Sequence, residues 1–585
     1  MKYRELTEVY LSLEKTSKRL EKTHLIAEFL KKTPLEELNM VVLLLQGKVF
    51  PSWDERVIGV ASRLVLKAIN VATGIDTSKI EELWKETGDL GLVAEKLVSK
   101  KQQSTLFSQE LSIKKVYENI QKLTEAEGQG TVEIKVKLIA ELLSSAKPLE
   151  ARYIIRTVLE DLRVGVGEGS IRDAIVWAYF GDKLKIEYNQ EENDLEMSDE
   201  ERETYNKYVN ALQEAYDLTN DFSKVAEIAK KQGLKGLNNI SLEVGKPIKV
   251  MLYQKAKDIE DAFETVCKPA ALEYKYDGFR MQMHRDKDKI KLFTRRLENV
   301  TNQFPDVVEV IRKNIKSDNY ILDAEIIGID PKTKKWLAFQ NISQRIKRKY
   351  DIHQTIKEIP VMVNLFDAVH VDGETLIKKP FAERRAALKR ITIEIPEKIQ
   401  LAREIVTDSV KEAEVFYQES LSKGNEGIMI KGLDKPYKPG SRVGYGVKVK
   451  PVMETLDLVI VGADWGEGKR ANWLSSFILA CIDENGNFLE IGRVGTGIKE
   501  KEEEGVSFKQ LTETLRPLIT GESGKEVKVK PHLVLEVSYE EIQKSPTYSS
   551  GFALRFPRLV RIREDRAPEE ISTLETVQDY YEGQQ

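Results

Sequence analysis

In Glu273-Tyr274-Lys275-Tyr276-Asp277-Gly278-Phe279-Arg280 a lysine closes a strand-like run, and an Asp-Gly pair follows two residues later. Two readings are open. One is a hairpin whose Asp-Gly turn leaves Lys275 and Arg280 in solvent. The other is a functional motif, because Lys-x-Asp-Gly-x-Arg is matched by chance in a chain of this length with odds of roughly one in a hundred. Further β-rich runs follow, from Lys289 (KIKLFTRR), Tyr320 (YILDAEIIGID), Pro360 (PVMVNLFDAVHVDG), Glu426 (EGIMIKG) and Gly444 (GYGVKVKP). They predict a mixed α/β domain over residues 236–451.

On the N-terminal side the texture changes. LTEVYLSLEKTSKRLEKTHLIAEFLKKT, ERVIGVASRLVLKAINVA and TVEIKVKLIAELLSSA space their apolar residues by three and four, which predicts an all-α domain over 1–235. After Pro451, LDLVIVGADWG, SSFILACIDENGNFLEIGRVGTG and PHLVLEVSYEEIQ predict a small β-barrel over 452–585. Multidomain α+β is therefore the expected class, in keeping with 585 residues.

Hydrophobic residues are 41% and charged residues 32% of the chain, which excludes a disordered or low-complexity polymer. Net charge is −5 over 1–235, +9 over 236–450 and −8 over 451–585. The basic middle suits a polyanion, although a solvated surface gives the same count. Cys267 and Cys481 are the sole cysteines, too few for a four-cysteine zinc site or a disulfide framework. With no signal-peptide core and no run of 18 apolar residues, a cytoplasmic protein is expected, and nothing reads as a dimer seam, so a monomer.

The lysine motif keeps ordered company: Thr294-Arg295-Arg296, Leu322-Asp323-Ala324-Glu325, Leu365-Phe366-Asp367, Asn425-Glu426-Gly427 to Lys431, and Lys448-Val449-Lys450-Pro451. This series resembles the nucleotidyltransferase motifs of ATP-dependent DNA ligases, shared more loosely by RNA ligases and RNA-capping enzymes. Arg163-Val164-Gly165-Val166-Gly167-Glu168-Gly169-Ser170 resembles part of the helical DNA-binding domain of replicative-type ligases in archaea and eukaryotes. Arg558, Arg561, Arg563 and Asp565 are similar to the last motif of that family's C-terminal oligonucleotide-binding (OB-fold) barrel.

The resemblance implies nick sealing in DNA replication, repair and recombination through a covalent lysine–AMP. Lys275 is then the nucleophile, with Asp277 and Gly278 completing its motif. Glu273 is implied to read the adenine amino group and Phe366 to stack on the base. Arg280, Arg295 and Arg442 are implied to contact nucleotide or nick phosphate. Lys448 and Lys450, on one face of a strand by their spacing, would meet phosphate charge, or merely guard a sheet edge.

Glu325 and Glu426 offer hard oxygen ligands for magnesium or manganese, and the resemblance gives Glu325 a ribose contact too. Arg558, Arg561 and Arg563 would orient pyrophosphate in a closed form. Gly165, Gly167 and Gly169, with Arg163 before them and Ser170 as helix cap, would lie on DNA phosphates; a plain interhelical turn is the alternative. Gln103, Leu106 and Phe107 resemble a sliding-clamp peptide, with Leu106 in place of an aromatic. Asn299 stands where relatives carry an acid, and no role is assigned to it. An RNA ligase or capping enzyme is disfavoured by the helical domain, an NAD-using ligase by the cysteine count, and a non-catalytic DNA scaffold by the intact lysine motif.

Overall fold

Apolar residues at helical spacing over the first 238 residues fold as helices around one core that includes Tyr10, Leu44, Tyr153, Ile175 and Phe222. The computed structural model describes every residue except 55, 100–109, 127–129, 338–341, 343–344, 347–350, 452–454, 467–469, 471 and 583–585. It divides into two units, Met1–Val449 and Lys450–Gln585. Two helices matter for function: α1 (Arg19–Lys32) and α2 (Glu168–Leu184).

The helical region is not wholly α. Glu187–Asn189 and Asp194–Glu196 pair as an antiparallel hairpin. The Asn189 side chain accepts the amides of Glu191 and Glu192 at 3.1 and 3.2 Å, and Asn193 adopts a left-handed φ of 55°, so local turn chemistry overrides the helical surroundings. The helix Phe222–Asn238 also runs past the boundary expected at 235, bending at Gly233 where φ is 61°.

From residue 252 the strands relevant to the site are β1 (Leu252–Lys255), β2 (Ala270–Lys275), β3 (Phe279–Asp286), β4 (Lys289–Thr294), β5 (Asn319–Ile329), β6 (Val361–Val371), β7 (Ile399–Leu401), β8 (Glu404–Thr407), β9 (Gly427–Gly432) and β10 (Arg442–Val449). One sheet runs β8-β2-β9-β10-β1; the other runs β6-β5-β3-β4, with β7 added in parallel on β6. Thus β2 and β3, adjacent in sequence, lie in different sheets.

Pleating divides each sheet into a dry face and a polar face. In the first, Leu272, Tyr274, Ile428, Ile430 and Val447 pack under helices α3 (Ile259–Val266) and α6 (Val410–Ser422), joined by Phe263 and Phe416. In the second, Met281, Met283, Leu322, Ala324 and Ile326 pack against α4 (Pro305–Asn314) and α5 (Phe381–Ile391). The polar face of the second sheet receives the incoming linker: Gln282 Oε1 accepts the Ile248 amide at 2.9 Å, and His284 Nδ1 accepts that of Gly245 at 3.0 Å. Burial pulls His284 down to about 3, so the ring is neutral and able to accept.

In the C-terminal unit β11 (Leu456–Trp465) pairs with β12 (Leu474–Ile482) and with β14 (Val534–Ser538). Strand β13 (Phe488–Val494) pairs with β12, and β15 (Arg558–Ile562) with β14. The Leu559 amide then bonds the Thr496 carbonyl at 2.9 Å, just beyond β13. That contact closes five strands into a barrel filled by Leu458, Phe477, Ile491 and Val537.

Candidate active site

Lys275 ends β2, and its ammonium is ion-paired with Glu426 Oε2. The Glu426 amide in turn bonds the Lys275 carbonyl at 2.9 Å, so the acid is fixed to the nucleophile's own backbone. Asp277-Gly278 is not a hairpin turn. It carries the chain from the first sheet to the second, and a Cβ on Gly278 would lie 2.3 Å from the Ile326 carbonyl oxygen. Only glycine permits that approach of β3 to β5.

The approach brings Glu325 to the same place. Glu325 faces Arg280 across the β3–β5 ladder. Burial pushes its carboxyl up to about 8; Lys275 and Arg280 oppose the shift, while Glu426 and Asp277 add to it. Five groups named from sequence therefore share one electrostatic field, two cations among three carboxylates.

Arg280 is held by protein. It donates to Asp323 Oδ2 at 2.5 Å, to the Met251 carbonyl at 2.8 Å and to the Tyr437 hydroxyl at 3.0 Å, and Tyr437 donates to the same Asp323 oxygen at 2.8 Å. Its buried Nε has no hydrogen-bond partner. Sequence reading gave Arg280 a phosphate contact and did not foresee Tyr437, which lies far along the chain.

A second pocket wall stands beside Lys275. The register puts Glu273, Lys275, Lys431 and Lys448 on one face of β2, β9 and β10. Buried Glu273 accepts from Lys431 through Oε2, while Oε1 is buried with no hydrogen bond. Phe366 sits where β6 slips register against β5, a bulge that re-aims its ring. Arg280 lies 5.2 Å and Lys431 4.9 Å from the ring centroid. An aromatic face, an unsatisfied carboxylate oxygen on the same wall and a lysine two residues on are what a purine nucleotide needs from a protein: stacking, an edge acceptor and a nucleophile.

The other sequence-named residues are more scattered. Arg295 is exposed on the turn after β4, at the end of the sheet that carries Arg280. Arg442 is exposed at the start of β10, the opposite end of that strand from Lys448. Lys450 opens the second unit, 3.6 Å from Glu540. In the barrel, Arg561 is paired with Glu536 at 2.6 Å, and Arg563 with Asp457 and Asp565 at 2.8 Å each. The expected cluster of three arginines is thus largely neutralised, with Arg558 exposed beside it. Gln103, Leu106 and Phe107 lie outside the described residues.

In the helical region Gly165, Gly167 and Gly169 line a cleft of about 590 Å³ with Arg19, Lys22 and Arg172. Gly165 takes a φ of 63°, and a Cβ there would meet the Lys22 ammonium at 2.7 Å. Lys22 donates to the Val164 and Gly165 carbonyls, which fixes the loop. Ser170 does not cap α2. Gly167 takes the cap position without a side chain, and the Ser170 amide bonds the Gly167 carbonyl at 3.1 Å. Arg163 is tied to Asp161 at 2.6 Å. Arg19 and Lys22 were missed because they come from a distant helix, α1, whereas Arg172 lies near the start of α2 just beyond the glycines and was passed over.

Among the described residues no group of three or more metal-ligating side chains is present. Glu325 and Glu426 nevertheless fit magnesium, which takes one or two carboxylates and completes its shell with phosphates and water. Among the described residues no helix is long and apolar enough to cross a membrane.

Comparison with known proteins matches three family models in order. They are a DNA ligase N terminus over residues 2–176, an ATP dependent DNA ligase domain over 250–450, and an ATP dependent DNA ligase C terminal region over 470–566. The chain is 48% identical to a DNA ligase of Nanoarchaeum equitans, covering all of this chain and 99% of that protein. It is 45% identical to one of Thermococcus onnurineus, over all of this chain and 98% of the relative. A solved structure described as Pmar-Lig_Pre is similar in fold, with a TM-score of 0.55, 16% identity and coverage of 96% of this chain and 99% of that one.

Proposed function

The chain belongs to the family of ATP-dependent DNA ligases, and on that premise we propose how its own residues seal a nick. Lys275 Nζ attacks the α-phosphate of ATP, forming a P–N bond as the P–O bond to pyrophosphate breaks. The lysine must first shed a proton, and Glu426 Oε2 is the acceptor in direct contact with it. Glu273 Oε1 takes the adenine amino hydrogen and Phe366 stacks on the ring. Lys448 on the same sheet face meets phosphate charge.

AMP then passes from Lys275 to the 5′-phosphate of the nick. The 3′-hydroxyl attacks that phosphate, the phosphodiester forms and AMP leaves. Magnesium or manganese held by Glu325 and Glu426 would neutralise phosphate charge during these transfers. Arg280 acts as a rigid wall of the pocket, fixed by Asp323 and Tyr437. The cleft around Gly165, Gly167 and Gly169 lies on backbone phosphates of the duplex, where open amides and three cations serve any sequence. Arg558 and Arg561 are the exposed cations of the last motif that would meet a nucleotide phosphate, Arg561 while paired with Glu536. We further propose Gln103–Phe107 as a sliding-clamp dock, to be tested by clamp binding of Phe107→Ala, and domains over 1–235, 236–451 and 452–585, the first boundary moved past Asn238 where its last helix ends.

The observation that carries this reading is the Lys275–Glu426 pair set beside Glu325 between the two sheets. The test is α-labelled ATP with magnesium after pyrophosphate stripping, wild type beside Lys275→Ala, then a chase with nicked duplex. Label on wild type alone, discharged as strands are sealed, is the expected result. Label on both proteins would remove Lys275 from its role.

A further inference from the structure

Arg385, on α5, is 11% exposed and stands between two carboxylates, 3.4 Å from Glu273 Oε1 and 3.4 Å from Glu404 Oε2. Those glutamates face each other across the β2–β8 ladder. Like charges so placed destabilise a sheet unless a cation lies with them. Burial, followed by the Glu273 charge, raises Glu404 above the usual carboxylate range. The same guanidinium donates to the Leu365 carbonyl at 3.0 Å and to that of Ala402. Leu365 is the residue before Phe366, at the bulge in β6. One planar fork therefore touches both the carboxylate at the base edge and the backbone that aims the stacking ring.

Lys431 occupies the other oxygen, Glu273 Oε2, which leaves Oε1 buried and without a hydrogen bond. A buried carboxylate oxygen that has a cation beside it but no hydrogen bond still costs free energy until a donor arrives. Its direction is set from two sides, by Lys431 through Oε2 and by Arg385 beside Oε1.

We propose that Arg385 is the positioning residue for nucleobase selection in lysine adenylation. It aims Glu273 Oε1 at the exocyclic 6-amino group of adenine and holds the Phe366 bulge at stacking distance. The proposal rests on the reading of Glu273 as the base-edge reader. Guanine offers an oxo group at the same position, and a carboxylate fixed there repels it; one free to swing away discriminates less. The hydrogen bonds of Arg385 go to the base end of the site, so its loss falls on selection more than on P–N bond formation.

The experiment uses full-length enzyme stripped with pyrophosphate, with α-labelled ATP or GTP and magnesium, measuring covalent label against nucleotide concentration. For Arg385→Met the KM for ATP rises at least about tenfold, the rate at saturating ATP changes by no more than about twofold, and the preference for ATP over GTP falls at least about tenfold. Arg385→Lys, which keeps the charge and loses the fork, falls between. If Arg385→Met does not fold, Arg385→Lys decides alone, a fall in preference of about threefold or more supporting the proposal. A preference within about twofold of wild type in the folded variants overturns it. Glu273→Gln separates the two layers. If it narrows the preference while Arg385 variants do not, the Arg385 proposal alone fails; if it leaves the preference intact, the reading of Glu273 fails and takes the proposal with it.

Discussion

Glu426 grips Lys275 twice, its carboxylate on the ammonium and its amide on the carbonyl of the same lysine. The backbone bond survives any side-chain change, so Glu426→Gln tests the carboxylate by itself. Loss of the proton acceptor beside a nucleophile typically costs 10²–10⁴ in rate. Covalent adenylation of Glu426→Gln is expected to fall by about 100-fold or more, read by single-turnover labelling. Both side chains are about four-fifths buried, so weakening the pair should also cost on the order of 1–3 kcal/mol of stability.

Glu325 gives a pH signature. Its carboxyl stands at about 8 in the folded protein against an ordinary 4.5. A raised acid binds its proton more tightly when folded, so its cost to stability is absent below about pH 4.5, grows as pH rises, and is complete above about pH 8. In protein free of metal and nucleotide, Glu325→Gln should be more stable than wild type by on the order of 1–3 kcal/mol at pH 9 and little different near pH 4.5. Denaturant midpoints at the two pH values measure it. The same variant should lose ligation, since a stabilising change at a functional carboxylate removes the ligand the reaction needs.

The sequence carried the site unevenly, for physical reasons. Strands such as Tyr320–Ile329 were legible because short runs rich in β-branched and aromatic residues, bounded by turn residues, mark strands. Lys275, Glu325 and Glu426 were legible as ordered motifs, and the structure brings them together. What Asp277-Gly278 does was not legible, since a hairpin and a crossing between sheets share one local pattern; the difference lies in the distant Ile326 carbonyl. Arg385 lies in the run Ala382-Glu-Arg-Arg-Ala, which carries no motif of its own, and only the tertiary fold sets it beside Glu273. Lys22 and Gly165 illustrate the same limit, the loop being predicted and the cation that pins it coming from another helix. The isolated hairpin at Glu187–Glu196 escaped notice because its strands are three residues each, too short for a periodicity.

Gly278 provides a strict test of the crossing. The Ile326 carbonyl that a methyl group would strike is backbone within a ladder and cannot turn aside. Gly278→Ala should therefore destabilise the protein by about 2–4 kcal/mol, as overpacking against fixed atoms does. Adenylation should fall as well, because moving β3 off β5 separates Lys275 from Glu325. Were Asp277-Gly278 a surface hairpin turn, the substitution would be mild and activity would persist. Thermal melting with adenylation on one preparation distinguishes the two cases.

Arg19 isolates the helical cleft from the chemistry. Its side chain is 60% exposed, and its ion pair is with Asp173 at 2.6 Å, so Arg19→Gln should leave folding nearly unaltered. Lysine adenylation draws on none of the cleft and should proceed at the wild-type rate. Binding to nicked duplex should weaken, and the dependence of log affinity on log salt should become shallower by about one, the signature of one lost phosphate contact. The loss should be the same on duplexes of unrelated sequence, because phosphates and not base edges are engaged. A titration of nicked DNA at several salt concentrations reads all three. An unchanged salt slope would show that phosphates of the duplex do not reach the cleft formed by Arg19, Lys22 and Arg172 with the three glycines, and would leave that loop with a purely structural part between its helices.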